Sequence, residues 1–225
     1  MAVVTISREF GSAGSFIARQ VAQTLGYHFV DKKTIEQVLV QYGYVEFRQE
    51  YDSVPGFWAA FDMRRAEMMG MLNRVIQALA AHNNIVIAGR GSFAVLPNFV
   101  DVLHVRIQAP PAVRIERVLA RQDTKDRDSA EAAMKENDRL RAAFVESLYG
   151  VKWDAVSAFD LVINTGKIAP EVAVSWLVSA VQSLTIRPED TERTTRALTV
   201  DSILAAAVAD VLNCQEVHQP QPVQS

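Results

Sequence analysis

At 225 residues the chain is long enough to bury one substantial hydrophobic core, which favours one main domain over two independent ones. Lysine and arginine total 23 against 26 aspartate and glutamate, so no basic excess favours binding to a nucleic acid, and we expect any bound anion to be small. No segment approaches the roughly 20 unbroken apolar residues of a membrane-spanning helix, and the N-terminus lacks the pattern of a secretory signal. We therefore expect a cytoplasmic protein that contacts no membrane.

The composition also argues against sites built from cysteine or histidine. A single cysteine, Cys214, excludes an internal disulfide and a cysteine-based zinc cluster. The four histidines are widely separated and lack the spacing of metal ligands, so we expect no metal site formed from them. They are His28, His82, His104 and His218.

The predicted elements alternate between strands and helices. The first strand, residues 2–7, is β-branched and apolar, and it runs into a loop of small residues that cannot continue a strand. Further strands are predicted at residues 27–30, 84–88, 100–107 and 159–164. Helices are predicted from their apolar periodicity at residues 15–25, 32–42, 57–81, 111–121, 129–147 and 170–184. This alternation indicates an α/β fold, a parallel sheet with helices on both faces.

The composition shifts after Leu184, where threonine, arginine and acidic residues replace the apolar pattern. We therefore predict a main domain over residues 1–185 and an extension over residues 186–225, with a disordered tail at its end. The extension carries one apolar helix at about residues 199–213. This helix covers the core, forms a homodimer contact or leads toward a further domain, and we favour the first two over any catalytic role.

The loop after the first strand has a composition suited to binding phosphate. Its residues are Gly11, Ser12, Ala13, Gly14 and Ser15. Small residues between a strand and a helix leave backbone N–H groups free to surround a phosphate, and the helix dipole adds a positive end at the same point. A tight turn that binds nothing explains the same residues equally well, so this interpretation needs support from the rest of the chain.

Several segments of the chain resemble the cytidylate kinase-like family of the P-loop nucleoside monophosphate kinases. The segment ISREFGSAGSFIARQVAQTLG is similar to the first strand, loop and helix of that family, in which Ser-Arg-Glu-aromatic-Gly-Ser-Gly-Gly is usual. Further similar segments follow in the family's order: YHFVDKKTIEQV, IVIAGRGSFAVL, VRIQAPPAVRIERVLAR, ENDRLRAAF and YGVKWDAVSAFDLVINT. The resemblance covers residues 3 to about 184.

The resemblance implies both a fold and an activity. The implied fold is a P-loop NTPase-type parallel sheet of about five strands flanked by helices, with a helical lid at about residues 122–147. The implied activity is transfer of the γ-phosphate of ATP to CMP, dCMP or a related small acceptor, with Mg²⁺ as the metal. The expected partners are thus small-molecule nucleotides.

The loop departs from the general P-loop pattern G-x-x-x-x-G-K-S/T. Aligned on this chain, the pattern places Arg8 at the first glycine, Ala13 at the second, Gly14 at the lysine and Ser15 at the serine or threonine. That lysine offsets charge in the transition state of phosphoryl transfer, and losing such a donor typically costs about 10²- to 10³-fold in rate. We hypothesise that Arg8 supplies the missing positive charge and that Ser15 holds part of a magnesium site.

Two residues are candidates for binding the acceptor. Arg90 follows a predicted buried strand, so it should emerge at the carboxyl edge of the sheet, where its guanidinium suits a phosphate. It resembles the arginine of the Gly-Arg-Asp pattern of CMP kinases, although Gly91 replaces the acid. Asp31 matches the family's acid near the nucleoside pocket. A surface ion pair is the alternative for Arg90, and a helix N-cap is the alternative for Asp31.

The charged segment that precedes residue 147 supplies candidates for the lid. Asp138, Arg139 and Arg141 resemble the lid residues of CMP kinases, whose arginines close over the transferring phosphates. The spacing of Asp138 and Arg141 puts both on one face of a helix, so the acid can orient the guanidinium. Arg141 is the first candidate for catalysis, with Arg139 and Arg8 beside it, and Asp138 is a candidate contact to the acceptor. A solvated helix face is the ordinary alternative.

Two other functions compete with a kinase. The chain could be a catalytically inactive nucleotide sensor or interaction module that keeps the fold without the lysine. It could also be a Rossmann-type dinucleotide binder in which Asp31 binds a ribose. However, the loop lacks the G-x-G-x-x-G pattern, and that alternative gives the lid arginines no role.

Overall fold

The computed structural model describes residues 2–43, 62–121 and 126–216, with the side chains of residues 62–66 and 214–216 left out. The first part of the helix predicted at residues 57–81 lies outside these ranges, as do residues 122–125 of the predicted lid. The tail predicted after residue 216 also lies outside them.

Five strands form one parallel sheet, as the sequence predicts. The strands are β1 (Val3–Arg8), β2 (His28–Val30), β3 (Ile85–Ala88), β4 (Val102–Gln108) and β5 (Leu161–Asn164). Their order in the sheet is β2-β3-β1-β4-β5, so β1 lies at the centre between β3 and β4. The central strands are aliphatic and buried, as expected for a parallel sheet covered on both faces.

Helices connect the strands and cover both faces of the sheet. They are α1 (Gly14–Leu25), α2 (Lys32–Gln41), α3 (Asp62–His82), α4 (Ser92–Val95), α5 (Pro111–Ala120), α6 (Arg127–Tyr149), α7 (Pro170–Ser183) and α8 (Ser202–Glu216). The short helix α4 was not predicted, because its four residues are too few to show a helical period. The other helices lie where the periodicity places them, with ends that differ by a few residues.

Successive residues of β1 serve two hydrophobic cores. Val4 points to the face covered by α1 and α7, whereas Val3 belongs to the face covered by α2, α3 and α8. This alternation is the period of two that a pleated strand imposes. The buried stripe of each helix therefore meets one face of the sheet, which leaves the carboxyl ends of the strands for the loops.

Strand β1 extends one residue further than the predicted end at Ser7. Arg8 stays in the strand because it pairs with Ile107 of β4 in the parallel register. Its backbone is therefore fixed by the sheet, although its side chain belongs to the loop region that follows.

The segment after α7, predicted to be an extension, packs against the rest of the described chain. Two 3₁₀ turns, Pro188–Arg193 and Thr195–Ala197, lead into α8. The buried carboxylate of Asp101 accepts hydrogen bonds from the Thr195 amide at 2.9 Å and from its hydroxyl at 2.7 Å, and Asn83 donates to the same hydroxyl at 3.1 Å. Since α8 contributes Leu204 to the core beside α2 and α3, the helix covers the core. A homodimer contact through α8 stays a prediction.

Within the described ranges, no helix combines the length and the apolar character that crossing a membrane would require.

Truncation of the buried face of α8 should destabilise the whole protein. Leu204 is 2% exposed, so Leu204→Ala should lower the free energy of unfolding by about 2–5 kcal/mol through lost burial and a residual cavity. Its neighbour Ile203 is 68% exposed, and Ile203→Ala should change that free energy by less than about 0.5 kcal/mol. Urea unfolding measures both. Equal effects of the two substitutions would show that α8 is not docked as described.

Candidate active site

The loop between β1 and α1 is a turn with two residues in the left-handed region, and it leads directly into the N-terminus of α1. Gly11 has a φ of 78° and Ala13 a φ of 63°, both in the left-handed region. Gly11 lies against α5, since a Cβ atom there would come within 2.8 Å of the Arg114 carbonyl oxygen. Helix α1 begins at Gly14, and its N-cap residue, Ala13, makes no side-chain hydrogen bond to the first N–H groups of the helix. The positive end of the helix is thus available to an anion.

Hydrogen bonds behind the loop hold this turn in place. The hydroxyl of Ser12 donates to the Glu9 carbonyl at 2.8 Å, and the Ser12 carbonyl accepts from the Thr165 hydroxyl at 2.8 Å. Arg117 of α5 in turn donates to the Thr165 hydroxyl at 2.9 Å and to its carbonyl at 2.8 Å. Ser12 is fully buried, so it shapes the turn from behind.

Three arginines meet at this edge of the sheet, and we call Arg8, Arg90 and Arg141 the arginine cluster. Arg8 ends β1, Arg90 follows β3 with a φ of 59°, and Arg141 projects from α6. An Arg141 N–H donates to the Arg8 carbonyl at 3.2 Å, which fixes α6 against the end of β1. Sequence positions 8, 90 and 141 are therefore brought together by the fold.

Burial and the charges of neighbouring arginines disfavour the charged forms of Arg8 and Arg141. Burial, together with the Arg141 and Arg90 charges, lowers the pKa of Arg8 to about 9, and Asp31 opposes the shift. Burial also lowers the pKa of Arg141, against the effect of Asp138. The Nε of Arg8 is inaccessible to solvent and has no hydrogen-bond partner among the described residues. Such a cluster gains electrostatic stabilisation when an anion binds.

Helix α6, which carries most of the predicted lid, is tied to the loop by Asp138. One carboxylate oxygen accepts from the Phe10 amide at 2.8 Å and from Arg141 at 3.3 Å. The other oxygen pairs with Arg114, which also donates to the Phe10 carbonyl at 3.2 Å. The predicted contact between Asp138 and Arg141 on one helix face is confirmed. The lid helix therefore lies directly on the loop.

Glu9 forms a second support that the sequence interpretation missed. Its carboxylate lies 3.7 Å from Arg106 and 3.6 Å from Arg114, and it accepts from the Ala109 amide at 3.0 Å. Arg106 is itself buried, 4.5 Å from the centre of the Trp153 ring. The position of an acid directly after the first strand could have drawn attention to Glu9 in the sequence. Its partners come from β4 and α5, however, so only the fold shows what it binds.

Three other predicted residues lie outside the arginine cluster as defined above. Asp31 caps α2 by accepting from the amides of residues 33 and 34, and its carboxylate lies 3.3 Å from Arg19. Ser15 is exposed in the first turn of α1. Arg139 is exposed and pairs with Glu136 on α6 at 2.7 Å. A role for Arg139 in catalysis stays a prediction, and in this conformation its guanidinium binds Glu136.

An aromatic side chain covers the loop that carries Arg90. The Tyr149 hydroxyl donates to Asn73 at 3.0 Å, and a Cβ atom at Gly91 would come within 2.4 Å of the Tyr149 ring. Gly91, which stands where the family's pattern has an acid, therefore makes room for this ring. Tyr149 packs with Trp153 and Phe159 in one hydrophobic cluster.

Two of the histidines lie closer together than their sequence separation suggests. The rings of His28 and His82 meet edge to face with their centres 5.4 Å apart. The two residues are 54 positions apart in the sequence, and the fold brings their rings together. The part of the chain that is described contains no group of three metal-binding side chains.

The strand order distinguishes the two folds considered above. In a Rossmann fold β1 pairs with β2, whereas here β1 pairs with β3 and β4. The protein is an α/β protein of the P-loop NTPase type, with the arginine cluster at the carboxyl ends of β1 and β3.

An uncharacterised protein from Eubacterium ventriosum has a similar structure, with a TM-score of 0.66 and 19% identity over 81% of this chain and 99% of that one. Shikimate kinase from Bacteroides thetaiotaomicron is similar with a TM-score of 0.50 and 14% identity, over 80% of this chain and 98% of that one.

The particular family follows from the sequence. The model of the cytidylate kinase-like family matches residues 3–167, and the chain belongs to that family. The cytidylate kinase of Pyrobaculum arsenaticum is 28% identical over 77% of this chain and 89% of its own length. That of Ignicoccus hospitalis is 27% identical over 79% of this chain and 97% of its own length.

Removal of the Arg8 charge should stabilise the protein in the absence of a ligand. The lowered pKa means that the charged form costs folding free energy below about pH 9, and that this cost declines as the pH rises through that value. Arg8→Met keeps the stem of the side chain and should raise the free energy of unfolding by about 0.5–2 kcal/mol near pH 7. The difference from wild type should shrink at about pH 9.5.

Urea unfolding in a buffer without phosphate measures this effect. Arg139→Met is the matched control, because the Arg139 guanidinium is exposed, and it should change the free energy of unfolding by less than about 0.5 kcal/mol. A clear loss of stability in Arg8→Met near pH 7 would show that the Arg8 charge is already satisfied by the protein.

Proposed function

We propose that the protein is a phosphotransferase of the nucleoside monophosphate kinase type, which transfers the γ-phosphate of ATP to CMP, dCMP or a related small acceptor. The observation that carries this proposal is the arginine cluster at the open N-terminus of α1. Membership of the cytidylate kinase-like family supports it, as does similarity to curated cytidylate kinases. Phosphoryl transfer requires positioning and positive charge more than covalent chemistry, and the site offers both.

The donor phosphates would bind at the loop. The amides of residues 11 and 13–15 and the dipole of α1 would provide donors for phosphate oxygens, whereas the Ser12 amide already donates to the Glu9 carbonyl at 3.3 Å. The Arg8 side chain, which lies against Gly14, would add positive charge. This set of groups fits a polyphosphate, because it combines backbone donors with charge that the protein itself leaves poorly compensated. Mg²⁺ bound with the nucleotide would neutralise part of the phosphate charge. The exposed hydroxyl of Ser15 would be its ligand from the protein.

The acceptor would lie beside the donor, at the ends of β2 and β3. Arg90 follows β3 and is close enough to influence the pKa of Arg8, so a phosphate bound by Arg90 would lie next to the donor site. Asp31 ends β2 on the same edge and influences the same pKa. Asp138, also predicted to contact the acceptor, is occupied by Phe10 and two arginines, so such a contact requires α6 to move. In the observed state Asp138 orients Arg141.

A nucleotide sensor or interaction module is the second candidate. The absence of a lysine at position 14 favours it, as does the direct contact of the lid helix with the loop. Both candidates bind a nucleotide at the same site, so only turnover separates them.

Turnover should depend on Arg141. Purified protein with ATP should form ADP in the presence of CMP or dCMP, with UMP and AMP as comparison acceptors. Arg141→Ala should lower kcat/KM by about 10²- to 10³-fold, because a donor aimed at the transferring phosphate is lost. Lys135→Ala is the control, since Lys135 is exposed on the same helix and pairs with Glu131. Arg139→Ala, measured alongside, tests the predicted role of that residue.

The outcomes separate the candidates. ATP binding without ADP formation for any acceptor would favour the sensor, and absence of ATP binding would exclude both. Equal kcat/KM for Arg141→Ala and Lys135→Ala would remove Arg141 from the reaction.

Arg90 should act on the acceptor rather than on ATP. Arg90→Ala should raise the KM for the monophosphate acceptor by about tenfold or more, since it removes a charged donor to a phosphate. The KM for ATP should change by less than about threefold. Steady-state kinetics with each substrate varied in turn gives both values, and a larger effect on ATP would place Arg90 on the donor side.

A further inference from the structure

The side chain of Arg8 lies across two glycines. A Cβ atom at Gly14 would come within 2.4 Å of the Arg8 Cβ and 2.9 Å of its Cγ. A Cβ atom at Gly89 would come within 2.0 Å of the Arg8 Nη1. These distances are too short for real carbon atoms, so the observed position of Arg8 requires glycine at both places.

The contact between Arg8 and Gly14 joins two defined positions of the P-loop pattern. Arg8 stands at the pattern's first glycine, and Gly14 stands at its lysine. The structure shows that these two positions face each other across the loop, since Arg8 ends β1 and Gly14 begins α1. Only one of the two can carry a side chain while the backbone keeps this separation. An arginine at position 8 and a lysine at position 14 therefore exclude each other.

We propose that the chain has exchanged the two ends of the P-loop pattern, with the cation moved from position 14 to position 8 and the glycine moved from position 8 to position 14. Arg8 then performs the charge role of the absent lysine. The inference rests on the proposed function, because it assigns a residue to the phosphate site of that proposal.

A cation that projects from position 8 places its charge differently from a lysine at position 14. The stem of Arg8 crosses Gly14, and the guanidinium ends at Gly89, one residue before Arg90. Arg8 is therefore held at the junction of the donor loop and the acceptor strand. From there it contacts the γ-phosphate of the nucleotide, the group that passes between the two substrates. Its backbone is fixed by the pairing of β1 with β4, so the charge is positioned before a ligand binds.

Restoring the general pattern in two steps tests the exchange. The four proteins are the wild type, Arg8→Gly, Gly14→Lys and the double variant, which has glycine at position 8 and lysine at position 14. Arg8→Gly should weaken ATP binding about tenfold or more by removing the cation. Gly14→Lys should weaken it similarly, because the lysine and Arg8 collide. The double variant should bind ATP at least about tenfold more tightly than either single variant, a coupling that independent positions do not show.

Isothermal titration with ATP gives the affinities, and ADP formation gives kcat/KM for the same four proteins. A double variant no better than the weaker single variant would overturn the exchange, and so would an Arg8→Gly protein that binds ATP as the wild type does. If the affinities show the coupling but no protein forms ADP, the exchange stands and the proposed enzyme activity fails. If the wild type does not bind ATP, both fail.

A stability measurement covers the case in which Gly14→Lys does not fold. Gly14→Ala adds only the Cβ atom, which collides with Arg8. It should therefore lower the melting temperature by several degrees in the wild type and by much less in the Arg8→Gly background. Gly70→Ala is the control, since among the described residues a Cβ atom there meets nothing within 4 Å beyond its own helix, and it should behave alike in both backgrounds. Equal losses for Gly14→Ala in the two backgrounds would show that Arg8 does not occupy the space at position 14.

Discussion

The site depends on one electrostatic constraint, the placement of three guanidinium groups at one edge of the sheet. Arg8, Arg90 and Arg141 come from β1, the loop after β3 and α6, so the cluster exists only when the sheet and the lid helix are assembled. Burying a guanidinium group and holding like charges together both cost free energy, and the lowered pKa of Arg8 reflects first its burial and then the charges of Arg141 and Arg90. Such an arrangement is typical of a binding site for an anion, where stability is given up for function.

The acids of the site serve mainly as supports. Glu9 lies between Arg106 and Arg114, and Asp138 binds Arg114 together with the Phe10 amide. These contacts compensate the buried arginines around the loop without neutralising the arginine cluster completely. Because Asp138 lies on α6 and its carboxylate binds the Phe10 amide, a movement of α6 would break or shift a contact of the loop between β1 and α1.

Much of this site could be predicted from the sequence, because its positions follow local rules. Residues directly after buried parallel strands lie at the carboxyl edge, which places Arg8 and Arg90, and a spacing of three on a helix joins Asp138 to Arg141. The same helical geometry separates Arg139 from Arg141, since residues two apart point to different faces, and the structure indeed pairs Arg139 with Glu136.

The parts that could not be predicted depend on close approach between distant segments. Glu9 meets Arg106 and Arg114, and Tyr149 covers Gly91, only after the sheet has formed. The collision between positions 8 and 14 is of the same kind, because a sequence pattern gives the residues of a loop but not the distance between its ends. A sequence pattern is therefore enough to predict the fold of this family. The side chains that hold the loop in place can be identified only from the structure.

The most direct measurement is a calorimetric titration of the wild-type protein with ATP and with adenosine under the same conditions. If the arginine cluster and the loop bind the phosphates of a nucleotide, ATP will bind at least about 100-fold more tightly than adenosine, and added salt will reduce that difference. Equal affinities for ATP and adenosine, or no detectable binding of ATP, would contradict a phosphate site at this edge of the sheet.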